Sequence, residues 1–253
     1  QKSIRNHQKV KLIMQHSISR VLKMPVFERS TVFFAEQFRK IIPGFVMASR
    51  EEKLRILKKL SYTLCSKRGS FKENVIPFLS TASEDSDEGV RRAAYGALRE
   101  VETPKTILLL FDLLERRITL SQKNQAALRD SEKHSILSRI GELSEHLESN
   151  GGLKFNQEGR SKLLSLLGHS DPEISHWSFK VVSLLKDSSL NALYRKNLSH
   201  PDGAMQAYSA KALEHTGEEK DASALMNIIV NGDSNYGSVA RALKSILRRS
   251  YPS

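Results

Sequence analysis

Residues 167–182 read LGHSDPEISHWSFKVV, and residues 198–213, thirty-one positions on, read LSHPDGAMQAYSAKAL. Leu167 matches Leu198 and His169 matches His200. Asp171 follows the first histidine as Asp202 follows the second. Ile174 matches Met205, Trp177 matches Tyr208 and Val182 matches Leu213. A third copy, NGDSNYGSVARALKSIL, spans 231–247 at a lag of thirty, with Leu243 in the place of Leu213. A fourth, SEDSDEGVRRAAYGALREV, spans 83–101, with Val90 in the place of Met205 and Leu98 in that of Leu213. A recurrence of this length marks a chain built from stacked supersecondary units.

Each unit reads as a short helix, a polar turn and a second helix rich in small residues. In the turn HSDPE, Asp171 is placed to cap the second helix and Pro172 to fill its first position. In HPDG, Pro201, Asp202 and Gly203 make the equivalent turn. Ala207, Ala210 and Ala212 allow close helix approach, while Met205, Tyr208 and Leu213 supply an apolar face. One such pair cannot bury its own stripe, so the copies must stack.

Working outward, residues 157–249 hold three copies. Residues 73–101 hold one, with Val75–Leu79 and Gly89–Val101 as its helices. Between them, residues 104–156 form an elongated or degenerate segment: a helix over 104–117 opened by Pro104, then an amphipathic stretch over 121–148 closed by Asn150, Gly151 and Gly152. Upstream, residues 1–72 read as a basic helical extension. Helices are expected over 10–23, ended by Pro25, and over 31–42, ended by Pro43 and Gly44. A third is capped by Ser49, carries Glu51 and Glu52 in its first turn, and has Leu54, Leu57, Leu60, Ser61 and Leu64 as its core stripe. The expected domain division is therefore 1–72 and 73–253.

The repeats resemble the HEAT-like family, in particular the short bacterial type named for its occurrence in phycobilisome lyases. Asp87, Val90, Arg91, Ala93, Ala94, Ala97 and Leu98 carry the resemblance. It covers about 73–250 and is concentrated in the four quoted windows. The family's arginine is Ser175 in one copy and Gln206 in another, so a ladder of Asp–Arg pairs is not expected throughout. The resemblance implies an all-α, right-handed solenoid whose second helices line a concave face. It implies no activity, because such repeats serve many functions.

Charge is concentrated at one end. The chain carries a formal +12. Residues 1–72 hold 17 Lys and Arg against 4 Asp and Glu; residues 73–253 hold 23 against 24. The excess therefore sits in the N-terminal block, which points to an acidic partner. Its candidate contact residues are Arg5, Lys9, Lys11, Arg20, Arg50, Lys53, Arg55, Lys58, Lys59, Lys67, Arg68 and Lys72. On the third helix, Arg50 and Lys53 are expected on the outer face. In the repeats, the residue before the pair that closes each second helix is Lys180, Lys211 or Arg241. If the second helices line one face, these three form a basic stripe.

Motifs with a mechanism are missing from the sequence. There is no phosphate-binding glycine loop and no HExxH. His169 and His200 are one position in two copies and read as turn residues rather than metal ligands. Trp177, the sole tryptophan, matches Tyr208 and is expected in the core. Cys65, the sole cysteine, excludes an internal disulfide and is expected to be buried. No apolar run reaches the length of about 20 residues that spans a bilayer. One cysteine and few aromatics offer little to hold a tetrapyrrole, so no cofactor is expected. The start at Gln1 suits an exported mature chain and a cytoplasmic one, with a lean toward export.

These features favour a non-enzymatic scaffold that binds another protein, with an acidic surface, through the solenoid and the basic block. The alternative is a nucleic-acid binder similar in architecture to small basic HEAT-like DNA glycosylases. The near-neutral repeat half argues against a continuous basic groove for a duplex.

Overall fold

The computed structural model describes residues 42–66, 70–124, 130–230 and 236–251. Every regular element among them is helical. The chain forms two compact units, 1–143 and 144–253. The expected helices over 10–23 and 31–42, apart from the last residue of the second, lie outside the described residues.

In the first unit, α1 (Arg50–Ser66), α2 (Ile76–Ala82), α3 (Glu88–Arg99) and α4 (Pro104–Asn124) precede α5 (Asp130–Ser149), inside which the division falls. Ser49 accepts the Glu52 amide at 3.3 Å and so starts α1. α1 packs broadly on α3. Ile56, Leu57, Leu60 and Leu64 are its buried residues, whereas Leu54 and Ser61 are half-buried. Cys65 is exposed, against expectation. It follows Lys58 by seven residues and shares that solvent side of the helix. α4 runs past its expected end at 117, because no glycine or proline interrupts RRITLSQKN. α5 ends at Ser149, and just beyond it Gly151 adopts φ +68°, the left-handed conformation that closes helices.

The core of this unit contains one ionic cluster. Arg91 donates to both oxygens of Glu132, at 2.8 Å each, and to the carbonyls of Asp85 and Ser86 at 2.9 Å. The Tyr95 hydroxyl donates to Glu132 at 3.0 Å, and Arg117 Nε lies 3.6 Å from the same carboxylate. Burial alone would raise the Glu132 pKa. The hydrogen bonds from Arg91 and Tyr95, with the charges of Arg91 and Arg117, overcome it and hold the group below its ordinary value.

The second unit holds three helix pairs: α6 (Gln157–Leu166) with α7 (Pro172–Ser183), α8 (Asn191–Asn197) with α9 (Gly203–Thr216), and α10 (Ala222–Val230) with α11 (Tyr236–Ser250). The second helices pack in sequence, α7 on α9 and α9 on α11. Buried Ile174, Val181 and Val182 of α7, Ala210, Ala212 and Leu213 of α9, and Val239, Ala242 and Ile246 of α11 form the core. At the end of α9, the Gly217 amide donates to Leu213 O at 2.8 Å. A methyl group there would sit 2.5 Å from that oxygen and 2.6 Å from Ile246 Cδ1.

Three substitutions test these packings. Gly217→Ala lowers unfolding free energy by about 1–3 kcal/mol through overpacking. Gly96→Ala, inside α3 with nothing within 4 Å of the new methyl, raises it by about 0.5–1 kcal/mol. Denaturant titration of both variants reads the opposite signs. Glu132→Ala costs about 3–5 kcal/mol at neutral pH by leaving buried Arg91 unpaired. The Glu132 pKa is depressed in the fold, so its stabilisation is present above the unfolded value and is lost as pH falls. The gap between wild type and Glu132→Ala therefore narrows below about pH 4.5, read by denaturant titration across acid pH.

Candidate functional site

The turn between paired helices decides what the second helices present. Asp87 Oδ1 accepts the Val90 amide at 3.0 Å. Asp171 Oδ1 accepts Glu173 N at 3.0 Å and Ile174 N at 3.4 Å, and Asp202 Oδ1 accepts Ala204 N at 2.8 Å. The amide of each capping aspartate donates to a side chain two residues earlier: Asp85 Oδ1 at 2.9 Å, His169 Nδ1 at 2.9 Å and His200 Nδ1 at 3.0 Å. The repeated histidines thus act as turn acceptors. Among the described residues no cluster of three His, Cys, Asp or Glu side chains is placed to hold a metal ion.

Arg91 and its counterparts in the other copies, Ser175 and Gln206, carry one task despite their different chemistry. Arg91 donates to the turn carbonyls of Asp85 and Ser86. Ser175 Oγ donates to Leu167 O at 2.6 Å, and Gln206 Nε2 to His200 O at 2.9 Å. All three tie the second helix to the turn before it.

Two of the capping aspartates also bond to an earlier helix. Arg50 Nε donates to Asp87 Oδ2 at 2.9 Å. His176 Nδ1 lies 3.2 Å from Asp202 Oδ2. The rung is Arg–Asp in the first unit and His–Asp in the second.

In the second unit this rung borders an aromatic and ionic patch. Trp177 is half-buried, not in the core, and so is Tyr208. The Lys180 ammonium sits 4.7 Å from the Trp177 ring centroid and 6.0 Å from that of Tyr208. Glu145 of α5 pairs with Lys180 at 2.8 Å. The His176 ring meets Tyr208 edge-on at 5.6 Å and Trp177 at 6.4 Å. The cation held against the indole face is an attractive contact. Burial raises the Tyr208 pKa, with Lys180 opposing and Glu145 and Asp202 adding to the rise. Alternation along α7 explains the exposure: Ile174, Ser178, Phe179, Val181 and Val182 are buried, which leaves His176, Trp177 and Lys180 on the remaining arc.

The expected stripe of Lys180, Lys211 and Arg241 is not uniformly basic in its surroundings. Lys180 faces Glu145. Glu148 pairs with Lys186 at 2.7 Å, and its pKa is lowered by that hydrogen bond, then by burial in the opposite sense, and further by the charges of Lys186 and Lys211. Arg241 is exposed and reaches Ser238 Oγ at 3.4 Å.

The N-terminal candidates divide similarly. Arg5, Lys9, Lys11, Arg20, Lys67 and Arg68 lie outside the described residues. Arg50 pairs with Asp87, Lys53 with Asp85 at 2.7 Å, Arg55 with Glu52 at 2.8 Å and Lys72 with Glu102 at 2.8 Å. Lys53 is half-buried, off the outer face expected for it, and Lys72 is buried. Lys58 and Lys59 are exposed and make no ion pair among the described residues.

The chain matches no family model and no curated protein. Among solved structures it is similar to the archaeal HEAT-like repeats protein from Thermococcus onnurineus NA1, at 12% identity and a TM-score of 0.54, over 92% of this chain and 96% of that one. Weaker likenesses include an engineered protein (18% identity, 81% of this chain and 96% of that one, TM-score 0.36) and a designed armadillo repeat protein in complex with the peptide (KR)4 (17% identity, 81% and 99%, TM-score 0.37). The archaeal likeness shows the fold, that of HEAT-like repeats.

Trp177 offers a direct check on this face. Acrylamide should quench its native emission steeply, as suits a half-exposed ring. A native quenching slope near zero that rises only on unfolding would mark a core ring and contradict the placement.

Proposed function

We propose that this chain, a HEAT-like repeat solenoid by fold, is a non-enzymatic scaffold that binds another protein through its second helices. The observation that carries the reading is the half-buried patch of Trp177, Tyr208, His176 and Lys180 on α7 and α9. Trp and Tyr are the side chains that most often anchor protein interfaces, because they bury large area at low entropic cost. Lys180 and Glu145 supply paired charge at its edge, where ion pairs set orientation more than affinity. The basic block of residues 1–72 is a second contact with an acidic partner surface, in which Lys58 and Lys59 are the described cations left for it.

The test compares wild type with the Trp177→Ala/Tyr208→Ala double variant and with Lys58→Glu/Lys59→Glu. Each is immobilised and exposed to nuclease-treated native lysate, with captured proteins quantified. A protein held by wild type and reduced about tenfold or more by the aromatic double variant supports the reading. A further loss with the lysine reversal assigns the basic block to the same contact. Capture that vanishes with nuclease, or that is indifferent to the aromatic variant while circular dichroism shows an intact fold, overturns it.

A further inference from the structure

We propose that the groove between α10 and α11 docks an amphipathic acidic helix from a partner protein. This surface lies on other helices than the Trp177 patch and extends the binding role to a second site.

α11 is apolar on two sides. Val239, Ala242 and Ile246 are fully buried, and the helix packs on α9. Ala240, Leu243 and Leu247 lie on the flank beside that face, with Leu243 still buried. With Met226 and Ile229 of α10 they line an open groove of about 640 Å³, bordered by Lys244, Arg248 and Tyr251. Met226 is 45% exposed and Leu247 38%. These residues recur along α11 at intervals of three and four, so they form one continuous stripe.

Charge selects the occupant. α10 carries no charged residue, and α11 carries Arg241, Lys244, Arg248 and Arg249 with no acid. Arg249 is engaged within the unit, donating to Glu214 O at 2.7 Å and Gly217 O at 3.0 Å. Lys244 and Arg248 are exposed, border the groove and have no hydrogen-bond or ion-pair partner among the described residues. A helix with Leu or Ile at i, i+3, i+4 and i+7 and carboxylates beside that stripe satisfies both floor and rim. A second copy of this groove would set Lys244 and Arg248 against like charge.

The test uses the full chain and two labelled synthetic helices of 18 residues. Both have one leucine stripe, flanked by glutamate in one and by lysine in the other. Fluorescence anisotropy should show the acidic helix binding at least about tenfold more tightly at low salt. Lys244→Glu/Arg248→Glu, which alters only exposed side chains, should reverse that preference. Trp177→Ala/Tyr208→Ala should leave it unchanged, which separates this site from the patch on α7 and α9. Equal binding of the two helices, no binding, a preference untouched by the charge reversal, or one abolished by the aromatic variant overturns the proposal. Self-association in sedimentation that Leu247→Asp removes would assign the groove to a second copy and overturn it too. So would binding to phosphatidylserine vesicles, lost in Lys244→Glu/Arg248→Glu, without binding to the acidic helix.

Discussion

The aspartate at the start of α3, α7 and α9 is the constraint on which these repeats depend. Asp87, Asp171 and Asp202 each satisfy amides that a helix start leaves open. Their own amides are held by Asp85, His169 and His200. Arg91, Ser175 and Gln206 then fasten the helix to turn carbonyls from the other side. The turn is fixed at three points, so the direction in which the second helix leaves it is set locally. Each second helix can then offer one arc to its neighbours and keep another for what lies outside. The Asp87 and Asp202 rungs use the second carboxylate oxygen, so the atom group that starts a helix also aligns it with an earlier helix.

This local control explains which parts of the fold were legible in the sequence. The copies, the capping role of Asp171 with Pro172 behind it, and the turn role of the two histidines depend on residues within one short window. Spacing alone exposes such features. Trp177 and Cys65 depend on what lies across from them. A residue's period assigns it to an arc of its helix, but a solenoid helix meets neighbours on several sides. The matching of Trp177 with Tyr208 suggested a shared core position. It is a shared position, but on the arc beside the rung, where Lys180 and Glu145 meet it. Periodicity could have found this: Ile174, Ser178, Val181 and Val182 define the inward arc of α7, and Trp177 stands off it. The partner of Arg91 was not legible, because Glu132 is forty-one residues away on a helix outside the repeat register.

The Arg91–Glu132 pair shows how the first unit accommodates two opposite charges in its core. The side-chain exposures of its members are 8% and 2%. Two charges removed from water to this degree are tolerated only when both are saturated with partners. Arg91 has the carboxylate and two carbonyls; Glu132 has Arg91, Tyr95 and the nearby charge of Arg117. Where the equivalent position is Ser175 or Gln206, no charge enters the core and no acid is required. The elongated α5 is thus coupled to the arginine. It supplies the carboxylate in the repeat that carries Arg91 at this position.

Net charge by segment proves a poor guide to the field a partner meets. Residues 1–72 hold the whole formal excess, yet Arg50, Lys53, Arg55 and Lys72 are each matched by a carboxylate within the fold. Short pairs of this kind cancel at the distance from which an approaching surface senses charge. Residues 73–253 sum almost to zero, but the sum averages the acidic turn at 84–88 with α11, which holds cations alone. Among the described residues, the exposed cations without an ion pair include Lys58 and Lys59 on α1 and Lys244 and Arg248 on α11. The α11 pair stands beside open apolar surface. Coulomb attraction there can steer an encounter that hydrophobic burial then completes, whereas Lys58 and Lys59 have only Tyr62 as a large exposed neighbour on their helix.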